Sequence, residues 1–290
     1  MKYLKLIRVK HWIKNGLVFL PLFFSGCLFE IDLLIKAILA FFIFSLTSSV
    51  VYVNNDISDV EKDKKHPIKK KRPLASGIIS IKTARIIEVV LLLIDIVMIG
   101  ILWYMGMHSV GVFIIPFVYL ILNIFYSKGL KNVPIVDVVI LVSGFVFRVM
   151  YGGVVTAVEV SKYLYLMIIF GSFYLGFGKR RNEIIKNSTN SRKVLKLYNK
   201  DFLDKNMYVC LGLAIISYAL WCLDPSTIMR IGNDYIFWTI PLVMIIFQLY
   251  SLDIEKDSHG DPIEIVLSNK KLLTTIIIYI LIIGGILYLL

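Results

Sequence analysis

Hydrophobic residues along this chain fall in long runs, not in the alternation of half-buried strands or the one-sided stripe of surface helices. Nine such runs can be marked, at about 15–32, 34–53, 84–104, 108–126, 134–155, 163–178, 207–222, 235–250 and 272–290. A membrane-spanning helix needs roughly 20 apolar residues to cross about 30 Å of hydrocarbon, and only the sixth and seventh runs are short by that measure. The pattern predicts an all-α, polytopic membrane protein. It forms one domain over residues 1–290, with no room for a separate soluble domain. The first run follows several lysines and ends in NGLVFLPLFFSGC, the outline of a cleaved lipoprotein leader. Phe24 is bulky for such a cleavage site, and eight further spans need no export signal, so the run is read as an uncleaved first helix.

Composition agrees, with 58% hydrophobic residues and a mean hydropathy of +0.79. The net charge of +12 would suit nucleic acid, but its placement argues for a membrane. Of 32 Lys and Arg, 28 fall in the N-terminal tail and in the loops after spans 2, 4, 6 and 8. Lys36, Lys162 and Arg230 lie on the other side, and Arg148 lies within a span. Basic residues mark the cytoplasmic face, so the tail is expected inside and the C-terminus outside, with no nucleic-acid partner. Cys27, Cys210 and Cys222 sit in or beside spans without metal-ligand spacing and read as small core residues.

The loops after spans 2 and 6 are long and dense in charge, which places any chemistry at the cytoplasmic surface. Asn55, Asp56, Asp59 and Asp63 read N-D-x-x-D-x-x-x-D where the second span leaves the membrane. On a helix the three aspartates share a face within about 60°. Unpaired carboxylates so close repel one another, and a divalent cation would relieve them. An all-oxygen set suits Mg²⁺, which commonly bridges carboxylates to substrate phosphates. The alternative is a solvated acidic face neutralised by Lys62, Lys64 and Lys65. Downstream, HPIKKKRPLASG brings four basic residues to a turn, and carboxylates for metal beside bases for phosphate suggest a diphosphate site.

That motif at the end of the second of nine spans resembles the first aspartate-rich motif of the UbiA superfamily of intramembrane prenyltransferases. Four stretches, in order, resemble its decaprenyl-phosphate phosphoribosyltransferase branch: RVKHWIKNGLVFLPLFFSG (8–26), YSKGLKNVPIVD (126–137), GFVFRVMYGG (144–153) and GKRRNE (178–183). Tyr126 and Lys131 are five apart, where aromatic prenyltransferases usually place them four apart. The usual second motif, D-x-x-x-D after span 6, is missing: Asp201 and Asp204 are three apart, and that loop opens with Lys179, Arg180 and Arg181. In GDPIEIVLSNKKL, Ser268-Asn269 stands where an acidic residue before a basic one is expected.

The resemblance implies a helical bundle with a central cavity open to the cytoplasm. It also implies transfer of a 5-phosphoribosyl group from phosphoribosyl pyrophosphate to a polyprenyl phosphate at the membrane, with a homo-oligomer left open. Asp56, Asp59 and Asp63 would be the catalytic and metal residues, holding Mg²⁺ against the diphosphate with Asn55 orienting. The lipid phosphate is already an anionic nucleophile, so no general base is needed. His11, His66, His108 and His259 offer no base constellation. Lys14, beside Asn15, together with Arg72, Tyr126 and Lys131, would bind either the diphosphate or the lipid phosphate. Lys179, Arg180 and Arg181 either hold the donor's 5-phosphate or simply mark the cytoplasmic side.

Ionisable residues within spans are functional candidates by default. Asp95 and Arg148 lie roughly 16 and 21 Å from the cytoplasmic ends of their helices at 1.5 Å per residue. They are expected to pair as a brace, unless Arg148 instead meets substrate. Asp137, at the start of span 5 near Lys131, is the better site candidate. Two rivals remain. An aromatic-acceptor prenyltransferase would use the same aspartates on a prenyl diphosphate. A transporter would string polar residues through its spans, and that pattern is not clear here.

Overall fold

The computed structural model describes residues 2–65, 67, 69–186, 193–255 and 262–290. His66, His259 and the Gly260-Asp261 pair lie outside the described residues. Among those described there is no strand. The long helices are α1 (Ile31–Ser58), α2 (Ile81–Tyr104), α3 (Gly111–Lys128), α4 (Val136–Thr156), α5 (Lys162–Ile185), α6 (Lys200–Leu223), α7 (Ile240–Glu255) and α8 (Lys270–Tyr288). Seven of them are long and apolar enough to cross a membrane, α7 together with the 3-10 turn before it. The exception is α5, which ends in the polar run Lys179-Arg180-Arg181-Asn182-Glu183 and so keeps too short an apolar stretch.

The first expected span does not form as one α-helix. Residues Val9–Phe19 form a 3-10 helix that runs into the five-residue α-helix Leu20–Phe24. Gly16 and Pro21 weaken regular α-helical bonding there, Pro by removing a backbone donor.

The chain divides into two compact units, Met1–Leu130 with Phe147–Glu159, and Lys131–Val146 with Val160–Leu290. In the first unit α1 lies innermost. Ala37, Ala40, Ile43, Phe44, Ser45, Thr47, Ser48, Ser49, Val50 and Val51 are all buried. Small side chains let neighbouring backbones approach closely, the usual device of membrane helices. By contrast α2 turns Ile86, Val89, Val90, Leu93, Ile96 and Val97 outward, as a lipid-facing helix does. The core joins Val18, Ile43, Phe44, Leu102, Val112, Ile115, Tyr151 and Val155.

One contact in that core leaves no latitude. A Cβ on Gly152 would stand 2.0 Å from the Val18 carbonyl oxygen, so the 3-10 segment can lie against α4 only because residue 152 is glycine. Gly152→Ala is therefore expected to destabilise the protein by at least the roughly 1–3 kcal/mol typical of overpacking. Its melting temperature in detergent should fall, while Gly100→Ala, with nothing within 4 Å, should melt like the parent.

In the second unit α5 packs along α6, and α7 lies against both α6 and α8. Val138, Tyr174, Phe177, Tyr198, Leu203, Met207, Tyr250, Ile254 and Leu272 form its core. Gly178 of α5 faces Ile254, whose Cδ1 would be 2.2 Å from an added Cβ.

Candidate active site

The aspartate motif begins on α1 and does not end on it. The helix stops at Ser58; Asp59 turns out of helical geometry at φ −101°, ψ 9°, and a short helix Val60–Lys65 follows. The expected single face of three carboxylates is thereby broken. Asp56 and Asp63 are 3% and 4% exposed, and they converge. Arg72 Nη1 donates to Asp63 Oδ2 at 2.6 Å and to Asp56 Oδ1 at 3.1 Å. Arg8 Nη2 donates to the same Asp56 oxygen at 2.5 Å. Asp59 instead lies 3.5 Å from Lys62 Nζ.

The carboxylates are thus not unpaired, as expected from spacing alone. Burying two of them calls for countercharge, and Arg8 and Arg72 supply it. Arg72 was among the anticipated residues. Arg8 was not, although it opens the R-x-K-x-W stretch.

Serines on α1 explain how Arg8 reaches the site. Ser49 Oγ donates to the Ile7 carbonyl at 2.8 Å and accepts from Trp12 Nε1 at 3.0 Å. Asn15 Nδ2 donates to Ser45 Oγ at 2.9 Å. These bonds lash residues 7–15 along α1. Arg8 itself sits at φ 53°, ψ 48°, a left-handed conformation uncommon for its residue type. Its guanidinium lies 4.7 Å from the Tyr52 ring centroid. Nearby, Asn55 accepts a hydrogen bond from Ser127.

Among the described residues no group of three or more His, Cys, Asp and Glu is arranged to hold a metal ion. Two oxygens nevertheless point at one position, now taken by the positively charged Arg72 Nη1. That all-oxygen pair fits a hard cation such as Mg²⁺, which typically takes one or two carboxylates and completes its shell with phosphate and water.

Deeper in the same unit, the expected Arg148–Asp95 brace is absent. Arg148, 6% exposed, donates through Nε to Asn15 Oδ1 at 2.7 Å. Its guanidinium carbon lies 4.9 and 5.4 Å from the Phe44 and Tyr119 ring centroids. Asp95 shares a 2.9 Å hydrogen bond with Thr47 Oγ1, and its Oδ1 has no partner. Asn15, the Ser48 and Tyr119 hydroxyls at 3.5 Å and the two aromatic faces all meet the cation. A cavity of about 400 Å³ borders Thr47, Asp95, Ile99, Phe113, Pro116 and Phe117; none of the three candidate metal aspartates lines it.

In the second unit Asp137 and Arg180 are both fully buried. Arg180 Nε donates to Asp137 Oδ2 at 2.6 Å, and Nη1 donates to Glu183 Oε2 at 3.0 Å. The Tyr198 hydroxyl donates to the other Asp137 oxygen at 2.7 Å and accepts the Ile135 N–H at 2.6 Å. Burial, with the Asp137 carboxylate beside it, holds the Tyr198 phenol above its ordinary pKa, so it remains a donor. Ile135 sits at φ 67°, a conformation costing a β-branched residue about 1–3 kcal/mol. Arg181 bonds to Asp204, which with Asp201 stands where the second acidic motif was looked for, while Asp201 is exposed. Lys14, Tyr126, Lys131 and Lys179 are partly exposed.

The sequence model of the UbiA prenyltransferase family matches residues 18–263. The chain belongs to the UbiA prenyltransferase family. It is a multi-pass membrane protein, with apolar helices running through both units. Among UbiA relatives, it is 32% identical over 275 residues to a decaprenyl-phosphate phosphoribosyltransferase of Corynebacterium glutamicum, covering 93% of this chain and 81% of that one. It is 30% identical over 290 residues to the decaprenyl-phosphate phosphoribosyltransferase of Mycobacterium tuberculosis H37Rv, covering 97% and 92%. The structure of a UbiA homolog from Archaeoglobus fulgidus bound to GPP and Mg²⁺ superposes with a TM-score of 0.71 at 17% identity, over all of both chains. At that identity the likeness concerns the fold alone.

Proposed function

We propose that this protein is a membrane-embedded phosphoribosyltransferase. It moves a 5-phosphoribosyl group from phosphoribosyl pyrophosphate to a polyprenyl phosphate and releases pyrophosphate. The observation that carries the proposal is the buried Asp56–Asp63 pair, whose oxygens meet at one positively charged point. It lies in a chain whose relatives of that activity align along 93–97% of its length. The whole chain, 1–290, acts as a single transferase domain, with its N-terminus and site on the cytoplasmic side.

Asp56 and Asp63, the convergent pair, would hold Mg²⁺, with Asp59 as the third carboxylate of the motif. Bound magnesium supplies neutralisation of the charge that builds on the departing pyrophosphate. Arg8, and Arg72 once it yields its place between the carboxylates, add positive charge to the same diphosphate, and Asn55 orients the motif through Ser127. Lys14, Tyr126 and Lys131 hold phosphate oxygens of the two substrates. Lys179 and Arg181, in the second unit, are cations suited to a phosphate. Arg180 and Asp137, buried against each other, act by position, as does Asn15 through Arg148. Arg148→Lys, which keeps the charge but loses the Nε bond, tests that role: it should slow transfer in folded protein, and unaltered kinetics would remove Arg148 from the account.

The rival donor is distinguished directly. Membranes containing the protein receive Mg²⁺ and either labelled phosphoribosyl pyrophosphate with polyprenyl phosphate, or labelled prenyl diphosphate with an aromatic acid. The proposal expects product in the first mixture only. Product in the second alone would keep the aspartates and discard the sugar donor.

A further inference from the structure

The turn that carries Lys131 is held in a conformation its own sequence resists. Ile135 ends that turn at φ 67°, with its side chain 51% exposed, so no burial of the isoleucine repays the strain. Its carbonyl accepts from the Val138 and Val139 N–H groups at 3.0 and 2.8 Å, which makes it the cap from which α4 starts. Its N–H points away from the helix and is met by the Tyr198 hydroxyl at 2.6 Å. Two residues on, Asp137 Oδ1 accepts from the same hydroxyl at 2.7 Å, and Arg180 secures Oδ2 at 2.6 Å. One phenol oxygen therefore joins both ends of a three-residue turn to a buried charge.

We propose that Tyr198 is a positioning residue for substrate phosphate. It acts through the Ile135 turn to set the segment 131–137, and hence Lys131, four residues upstream of Ile135. The inference rests on the role given to Lys131 above. Nothing in the 126–137 stretch announces Tyr198, which lies beyond α5. Its ring belongs to the core around Val138 and Phe177 and stacks on Phe202, with centroids 6.1 Å apart. Tyr198→Phe thus keeps the packing and removes only the hydroxyl. Without that hydroxyl only the carbonyl bonds from Val138 and Val139 oppose the strain, and residue 135 relaxes toward negative φ. Glycine at 135 visits positive φ as readily as negative, so Ile135→Gly removes the strain the hydroxyl opposes.

Two readouts on full-length protein in membranes test this. Hydrogen exchange across 131–137 reads the turn regardless of chemistry: Tyr198→Phe should accelerate it, and unchanged exchange overturns the proposal. Kinetics then read the consequence. Each substrate is titrated separately, since phosphate belongs to both the sugar donor and the lipid acceptor. Tyr198→Phe should raise KM for one of them about tenfold, the effect of losing one well-made hydrogen bond near 1.4 kcal/mol, with kcat within about threefold of the parent. The substrate affected is the one Lys131 holds. Adding Ile135→Gly to Tyr198→Phe should recover most of the loss, while Ile135→Gly alone should resemble the parent. Equal loss in kcat without a KM change, or no rescue by glycine, leaves Tyr198 a packing residue and overturns the proposal. If the parent transfers no phosphoribosyl group, the functional reading fails, and the exchange experiment still decides whether Tyr198 sets the turn.

Discussion

Replacing Asp56 with asparagine is expected to lower turnover about 10²–10³-fold, the range seen when one preorganised electrostatic group is removed from a reaction centre. The substitution keeps the side-chain volume but offers a neutral amide to a site built for a full negative charge. Arg8 and Arg72 both reach Asp56 Oδ1, so that oxygen organises the whole cluster. The loss should come with a higher Mg²⁺ requirement, because two carboxylates are few enough that each matters. Asp59→Asn is expected to do less: Asp59 is partly exposed, its side chain 29% accessible, and its neighbour is Lys62. If folded Asp56→Asn protein kept turnover within about threefold of the parent, the acidic pole would not be the reaction centre.

The second large effect concerns stability. Asp137→Ala is expected to cost about 3–5 kcal/mol, the range for removing one partner of a buried ion pair. Arg180 is fully buried and would lose its 2.6 Å acceptor, while Tyr198 would lose the carboxylate its hydroxyl donates to. The variant should accumulate poorly and melt early. Replacing both partners with apolar residues, Asp137→Leu with Arg180→Met, should restore much of the stability, because the uncompensated charge disappears with its partner. The double variant separates two roles. Active double variant means the pair only holds the fold; a stable but inactive one means that the pair also positions the site, through Tyr198 and the Ile135 turn.

The helices were legible because lipid imposes a coarse rule: a run of roughly 20 apolar residues must satisfy its backbone internally. Where composition departs from that rule, legibility fails. The run 15–32 carries Gly16 and Pro21 and folds as a 3-10 helix followed by one short α-helix. The aspartates were found by spacing, but their arrangement was not. Helical periodicity extended through Asp63 puts three carboxylates on a stripe, whereas the break at Asp59 lets Asp56 and Asp63 meet around Arg72 from across a turn. Arg8 arrives from 48 residues away in sequence, a distance no periodicity reports.

Polar atoms inside apolar runs were the other omission. Ser45, Thr47, Ser48 and Ser49 look innocuous in a hydrophobic stretch, yet Ser45 and Ser49 hold the N-terminal segment against α1. Their signal was four hydroxyls within five residues of an inner helix, where each needs a partner. Arg148 and Asp95 illustrate the opposite error. Two buried charges of opposite sign invite pairing, but Arg148 found Asn15 and two aromatic faces, and Asp95 found Thr47.

The central claim is that a phosphoribosyl group moves intact from a diphosphate to a lipid phosphate at the Asp56–Asp63 pole. The most direct measurement uses purified protein, Mg²⁺, polyprenyl phosphate and phosphoribosyl pyrophosphate labelled in its 5-phosphate. Organic-extractable label and released pyrophosphate are counted together. The account predicts one pyrophosphate per lipid-borne label, with both abolished by EDTA and by Asp56→Asn. Pyrophosphate released while the label stays in water, or label reaching the lipid undiminished in the Asp56→Asn protein, would contradict it.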